Sequence, residues 1–304
     1  MTYSLKLIDV REGQAHRIGA QYGFWHNPAF MEAIATLHNV NPLQLQVFKG
    51  EELFSILPLY ERSKMGIKGI VAPVGAYYQG FSFAYDDNVH PARKLLDTCA
   101  VCAETARFLA GRYRRLHLRL NPDNEDVRSF TWNGFKTAPL YTFRMRVVDE
   151  IQPLADERKK LRTAQKLGMV LEERFDSEVF IRLQSDLDQR KNRKLGVSYS
   201  ALQSFLEKLF SVGLLKQFNV VWEDRRVSSN ILLHDGGRVA YTLFQATAED
   251  ALKKGAATFH SLSLLKCLPA GSEIFDYCGA NVQEVARFKA ALGLELKHFY
   301  QIRL

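Results

Sequence analysis

Two stretches of this chain repeat one another at a fixed distance, and that limits the fold more than any other feature. Residues 133–145 carry Gly134, Tyr141 and Arg144, and residues 292–304 carry Gly293, Tyr300 and Arg303. Each pair is 159 residues apart, and Glu125 and Arg128 meet Glu284 and Arg287 at the same spacing. An offset of about half of a 304-residue chain implies two diverged copies of one folding unit. That length also suits about two domains, each with its own core.

The order of elements tests the duplication. In the second half, residues 168–174 read as a strand, and Asp176 suits the N-cap of a helix running to Arg190. Residues 199–210 place Leu202, Phe205, Leu206, Leu209 and Phe210 on one helical face. Strands follow at 215–222, 227–233 and 239–246, with a tight-turn signal at Asp235, Gly236 and Gly237. A helix over 256–267, a strand over 273–277, a helix over 282–292 and a strand over 296–304 complete the half. The first half is a looser version. A strand over 5–10 precedes a helix opened by Asn27 and Pro28, then strands at 43–48 and 53–60. A glycine-rich aromatic stretch (74–81), a long helix from Pro91, a strand at 116–120, a short helix from Glu125 and a strand at 140–148 follow. The boundary falls near residues 149–153, giving expected domains of 1–150 and 151–304.

Composition narrows the class. Hydrophobic residues at 47% and charged residues at 24% fit a globular protein, and no apolar run approaches the roughly 18 residues of a membrane span. No signal-peptide pattern opens the chain, so a cytoplasmic protein is expected. A net charge of +8 favours polyanionic partners. Cys99 and Cys102 form a CxxC inside a helical, apolar stretch with no second ligand pair, which predicts core packing and no metal site.

The C-terminal residues carry a family resemblance. Phe275, Asp276 and Gly279, then the pair Phe288 and Lys289, then Gly293 before the last strand, resemble the closing signature of the FemABX-like transferases. Residues 154–170, with Arg158, Arg162, Ala164, Lys166 and Gly168, resemble the basic helix that opens the second domain of that family. The element order is that of the GNAT acyltransferase fold. The resemblance implies an α/β chain of two tandem GNAT-like domains that transfers an acyl or aminoacyl group to an amine. Well-known members use aminoacyl-tRNA and a peptidoglycan precursor, and clasp tRNA with a helical insertion. Here 176–210 is filled by two ordinary helices, which counts against tRNA and points to an acyl-CoA-type co-substrate with a cell-envelope or small-molecule acceptor. Aminoacyl-tRNA-dependent transfer and a non-catalytic binder of an anionic ligand are the alternatives.

The resemblance also nominates residues. A GNAT fold rests its donor's pyrophosphate on a glycine-rich turn opening the helix after the fourth strand, and Lys253, Lys254, Gly255 and Ala257 occupy that place. A turn of small residues is equally a plain packing motif. Phe288 and Lys289 are the catalytic candidates, with Lys289 expected as an exposed cation that steadies negative charge. Arg190 and Tyr199 are expected to face the acceptor, as is Tyr241 on the strand beside the acyl channel. The principal pocket is expected near Gly255, Tyr241 and Lys289. No general base is evident, and Asp276 reads as the tie of its own turn.

Overall fold

A computed structural model of the chain describes residues 3–304 apart from 14, 17, 19–22 and 87. It divides into two compact units, Met1–Leu140 with His298–Leu304, and Tyr141–Lys297.

The first unit runs β1 (Tyr3–Asp9), α1 (Pro28–His38), β2 (Asn41–Lys49), β3 (Glu52–Lys64), β4 (Ile67–Ile70), β5 (Ser82–Phe83), α2 (Pro91–Arg112), β6 (His117–Arg119) and α3 (Arg128–Trp132), and leads into β7 (Lys136–Arg146). Asn27 caps α1 by accepting from the Ala29 amide, and Pro28 costs nothing where no intrahelical donor is needed. Strands β1 to β4 form an antiparallel sheet in chain order, and β5 pairs back onto β3. Leu45, Val47, Leu57 and Leu59 of the sheet are buried in one core with Val101, Cys102, Ala106 and Leu109 of α2. The CxxC therefore packs as expected, with Cys102 in the core and Cys99 donating to Asp126.

The second unit runs α4 (Ala155–Lys166), β8 (Val170–Glu173), α5 (Ser177–Arg190), α6 (Tyr199–Ser211), β9 (Leu215–Trp222), β10 (Arg225–Leu233), β11 (Val239–Thr247), α7 (Glu249–Leu252), α8 (Ala256–Leu264), β12 (Ile274–Asp276), α9 (Gln283–Ala291) and β13 (Glu295–Arg303). Strands β8 to β11 are antiparallel neighbours, and β12 joins β11 in parallel. Among the described residues no helix is long and apolar enough to cross a membrane.

The closing strands are exchanged. Residues 141–146 of β7 belong to the second unit, where Arg144 pairs with Asp276 and Met145 with Phe275 on β12. Residues 298–303 of β13 belong to the first unit, where Arg303 pairs with His117 and Ile302 with Leu118 on β6. The repeat offset carries Asp276 onto His117 and Arg144 onto Arg303, so the two ladders share one register. The compact units are therefore cut after residues 140 and 297, whereas 150 divides the repeats. Both copies present the same strand edge, so a closing strand fits either.

Each unit also opens where its parallel pair ends. Strand β11 meets β12 only from Val239 to Tyr241, and residues 242–247 pair with β10 alone. The corresponding contact in the first unit is a single parallel bridge, Ile70 to Leu116. There the chain fills its own opening with residues 71–81. The Gln79 amide donates to the Arg119 carbonyl at 2.5 Å, and the Arg119 guanidinium donates to the carbonyls of Ala72 (3.0 Å) and Pro73 (2.7 Å). Gly80 is required here, because a Cβ would lie 2.2 Å from the Asn121 side chain.

Candidate functional site

The second unit lines the underside of α8 with polar groups. Ser228 and Asn230 of β10 stand opposite Thr247 and Gln245 of β11, so strand alternation puts all four on one face. Helix α8 adds His260 and Ser261. Ser228 Oγ lies 2.7 Å from Thr247 Oγ1 and 2.8 Å from His260 Nδ1, and Asn230 Nδ2 donates to Gln245 Oε1 at 3.2 Å. The Tyr277 hydroxyl, just past β12, donates to Gln245 Oε1 and meets Ser261 Oγ at 2.5 Å. Ser228, Asn230 and His260 are fully buried.

A helix packed on a sheet normally covers apolar side chains, and an unsatisfied buried polar group costs about 1–3 kcal/mol. Asn230 Oδ1 and His260 Nε2 are buried without a protein partner. Burial pulls the His260 imidazole down to about 3, so it is neutral near pH 7. Burial raises the Tyr277 phenol, with the Ser261 and Gln245 hydrogen bonds opposing, so its hydroxyl keeps its proton.

Lys289 is not an exposed lysine. It is 6% exposed on α9, and its Nζ donates to the carbonyls of Tyr277 (2.6 Å), Gly279 (2.5 Å) and Cys278. An ammonium has three donors, and this turn uses all of them. Nζ also stands 4.4 Å from the centre of the Tyr277 ring. Burial pulls this lysine down to about 8, opposed by Cys278 and Asp276. The turn it holds is sharp, with Cys278 at a left-handed φ of 35°. Lys289 thus fixes the backbone that carries Tyr277, which corrects the expectation of a solvent-facing cation. Phe288 packs partly buried against the apolar cluster of the same unit. Asp276 ties the turn from below, accepting from Thr142 Oγ1 (2.6 Å), Arg144 Nε (2.7 Å) and the Cys278 amide (2.9 Å).

Arg190 reaches the end of β11, and Tyr199 lies beside Asp188 of α5. Arg190 donates to the Thr247 carbonyl at 3.3 Å, at the end of β11. The Tyr199 hydroxyl donates to Asp188 at 3.3 Å, a buried carboxylate that also accepts from Gln184 and Arg193. Tyr241 is buried at the root of the opening, paired in register with Asp276.

Gly255 packs against another helix. It has φ of 85°, and a Cβ there would lie 2.4 Å from the Lys160 carbonyl of α4. Glu157 of the same helix accepts from Thr258 Oγ1 at 2.5 Å and from Lys160 at 2.6 Å, placing a carboxylate on the first turn of α8. Negative charge already occupies the end of the helix that favours an anion. The packing on α4 gives the glycine a structural reason that is independent of phosphate. Lys253 and Lys254 are exposed beside it, and Ala257 is half-buried. Two open cavities, of about 360 and 420 Å³, belong to the first unit, and Gly255, Tyr241 and Lys289 line neither.

Sequence reasoning missed Tyr277, Gln245 and Asn230. The available signal was the run of Ser228, Ser229 and Asn230 between Val227 and Ile231 in an otherwise apolar strand. Period-two logic treats one face of such a strand as wet, whereas helices cover both.

No family model matches this sequence, and no curated protein matches it. Solved structures do resemble it. FemX is 14% identical, with a TM-score of 0.64 over 98% of this chain and 96% of that one. A tandem GNAT protein from the clavulanic acid biosynthesis pathway is 9% identical, with a TM-score of 0.54 over 100% and 98%. L-PGS from Bacillus licheniformis is 12% identical, with a TM-score of 0.54 over 94% and 93%. At such identities the likeness is one of fold, and the chain has the duplicated GNAT-like fold that its sequence resemblance implied.

Proposed function

We propose that the chain is an acyltransferase in which an amine attacks an activated acyl carbonyl in the opening between β11 and β12. The observation that carries this reading is the Tyr277 hydroxyl, kept protonated and held between Gln245 and Ser261 at that opening. Attack builds negative charge on the carbonyl oxygen, and the departing group then takes up a proton. Turned from Gln245 onto either atom, the Tyr277 O–H would lower the barrier. Lys289 and Asp276 are positioning residues, since each acts by holding the turn that carries Tyr277. Arg190, at the end of β11, suits a polar or anionic acceptor group.

The similar folds of FemX, L-PGS and a tandem GNAT protein support acyl or aminoacyl transfer as the class. The donor is of acyl-CoA or aminoacyl-ester type, and the acceptor is an amine on a cell-envelope precursor or small molecule. One observation favours the ester. Glu157 on the first turn of α8 disfavours a pyrophosphate at that helix end. The test supplies acetyl-CoA and aminoacyl-tRNA separately, follows melting temperature, and assays transfer with whichever donor stabilises the fold. Tyr277→Phe should then lower turnover about 100-fold, or about 2.7 kcal/mol of barrier. Wild-type turnover in the folded variant would defeat the assignment.

A further inference from the structure

The exchanged strands carry a second chemical difference between the copies. In the second unit, the buried carboxylate of Asp276 accepts from Arg144, from Thr142 and from the amide of Cys278. The repeat offset carries those four positions onto His117, Arg303, Gln301 and Arg119. Every position that gives Asp276 a hydrogen bond therefore carries a side-chain donor in the first unit, while the position of the carboxylate has become an imidazole. We propose that His117, Arg119, Gln301 and Arg303 form an oxyanion site in the first unit, which takes a ligand's carboxylate or phosphate where the second unit supplies Asp276.

The geometry puts the four on one face. His117 and Arg119 are two apart on β6, and their cross-strand partners on β13 are Arg303 and Gln301. Two cationic positions and an imidazole in such proximity repel unless an anion lies among them. His117 Nε2 and Arg119 Nε are buried without a protein partner. The guanidinium of Arg119 meets the neutral carbonyls of Ala72 and Pro73, and the titratable side chains beside it are the Tyr77 and Tyr78 phenols, which are neutral near pH 7. Burial, then Arg303 and Arg119, lowers His117, and the Gln301 hydrogen bond opposes this. His38, on the far side of Arg119, is likewise lowered by burial and by Arg62 and Arg119. No Asp or Glu is among the described groups that act on Arg119, His117 or His38. A buried cation without a counter-ion is unfavourable, and one oxyanion would relieve it. Arg303 is exposed, which leaves a way in.

The test uses the full chain in chloride at constant ionic strength, with inorganic phosphate or acetate added up to about 50 mM. The melting temperature should rise with at least one of them. A response to phosphate alone identifies a phosphate ligand, and a response to acetate identifies a carboxylate. Phosphate also stabilises proteins by exclusion from their surfaces, so the variants decide. His117→Asp rebuilds the carboxylate of the second unit. It should raise the melting temperature without added anion and abolish the response. Arg303→Gln, at an exposed position, should fold normally and weaken apparent anion affinity about tenfold, equivalent to about 1.4 kcal/mol. The proposal is overturned if neither anion stabilises the wild type beyond chloride, or if both variants respond as the wild type does.

Discussion

The two units treat the same gap in opposite ways. The first plugs the space beside its parallel bridge with residues 71–81, hydrogen-bonded through Gln79 and Arg119. The second leaves residues 242–247 free of β12, and Gln245 among them meets Tyr277, which also contacts Ser261. The turn beside each gap follows suit. Lys289 satisfies three carbonyls in the second unit, and its counterpart by the repeat offset is Phe130, buried in an apolar cluster. The duplication has therefore filled the gap of one copy with its own chain and lined that of the other with polar side chains.

That contrast can be broken at several points. The largest effect should come from Asp276→Asn, which breaks the buried ion pair with Arg144 and should cost about 3–5 kcal/mol in urea unfolding. The matching His117→Asn should cost less than about 1 kcal/mol, because no buried pair is broken. Equal losses would mean the two ladders are energetically alike. Next is Lys289→Met. It strands three carbonyls and should destabilise by about 2–3 kcal/mol, whereas an exposed lysine would contribute almost nothing. Phe130→Leu in the first unit should cost less than about 1.5 kcal/mol. An unchanged melting temperature for Lys289→Met would contradict the buried lock.

The smallest effect sharpens what the units share. Each holds one fully buried histidine against a strand serine, His26 beside Ser82 (3.1 Å) and His260 beside Ser228 (2.8 Å). Burial lowers both to about 3 from an ordinary 6.5. Between those values the unfolded chain binds a proton that the folded chain refuses, so stability falls as pH drops below 6.5. Each contributes a slope of about 1.4 kcal/mol per pH unit in that window. Urea unfolding at pH 7, 6 and 5 measures the total, to which the lowered His38, His117 and His234 add, and His260→Gln should reduce the slope by about 1.4 kcal/mol per pH unit.

Much of the fold was legible because the repeat is densest where the architecture is closed, over residues 116–146 and 275–304. Caps at Asn27 and Asp176 and the turn at Gly236 followed from local chemistry. The exchange was not legible. Both copies offer the same edge in the same register, so residue identities do not say which copy a closing strand joins. Lys289 read as exposed because lysine almost always is, and its burial depends on the Tyr277 turn coming beneath α9. Gly255 read as a phosphate turn because α4, which packs against it, lies nearly a hundred residues earlier in the chain.

The strand exchange has a consequence for how the molecule is made. Residues 298–303, which pair with β6, are translated about 150 residues after the rest of the first unit's sheet. At roughly 5–20 residues per second, strand β6 waits many seconds with one edge unpaired. The usual order of synthesis, in which an N-terminal domain is finished before the next begins, is closed to this chain. Its two units reach completion together, and anything that shields an open strand edge during translation acts on the first unit above all.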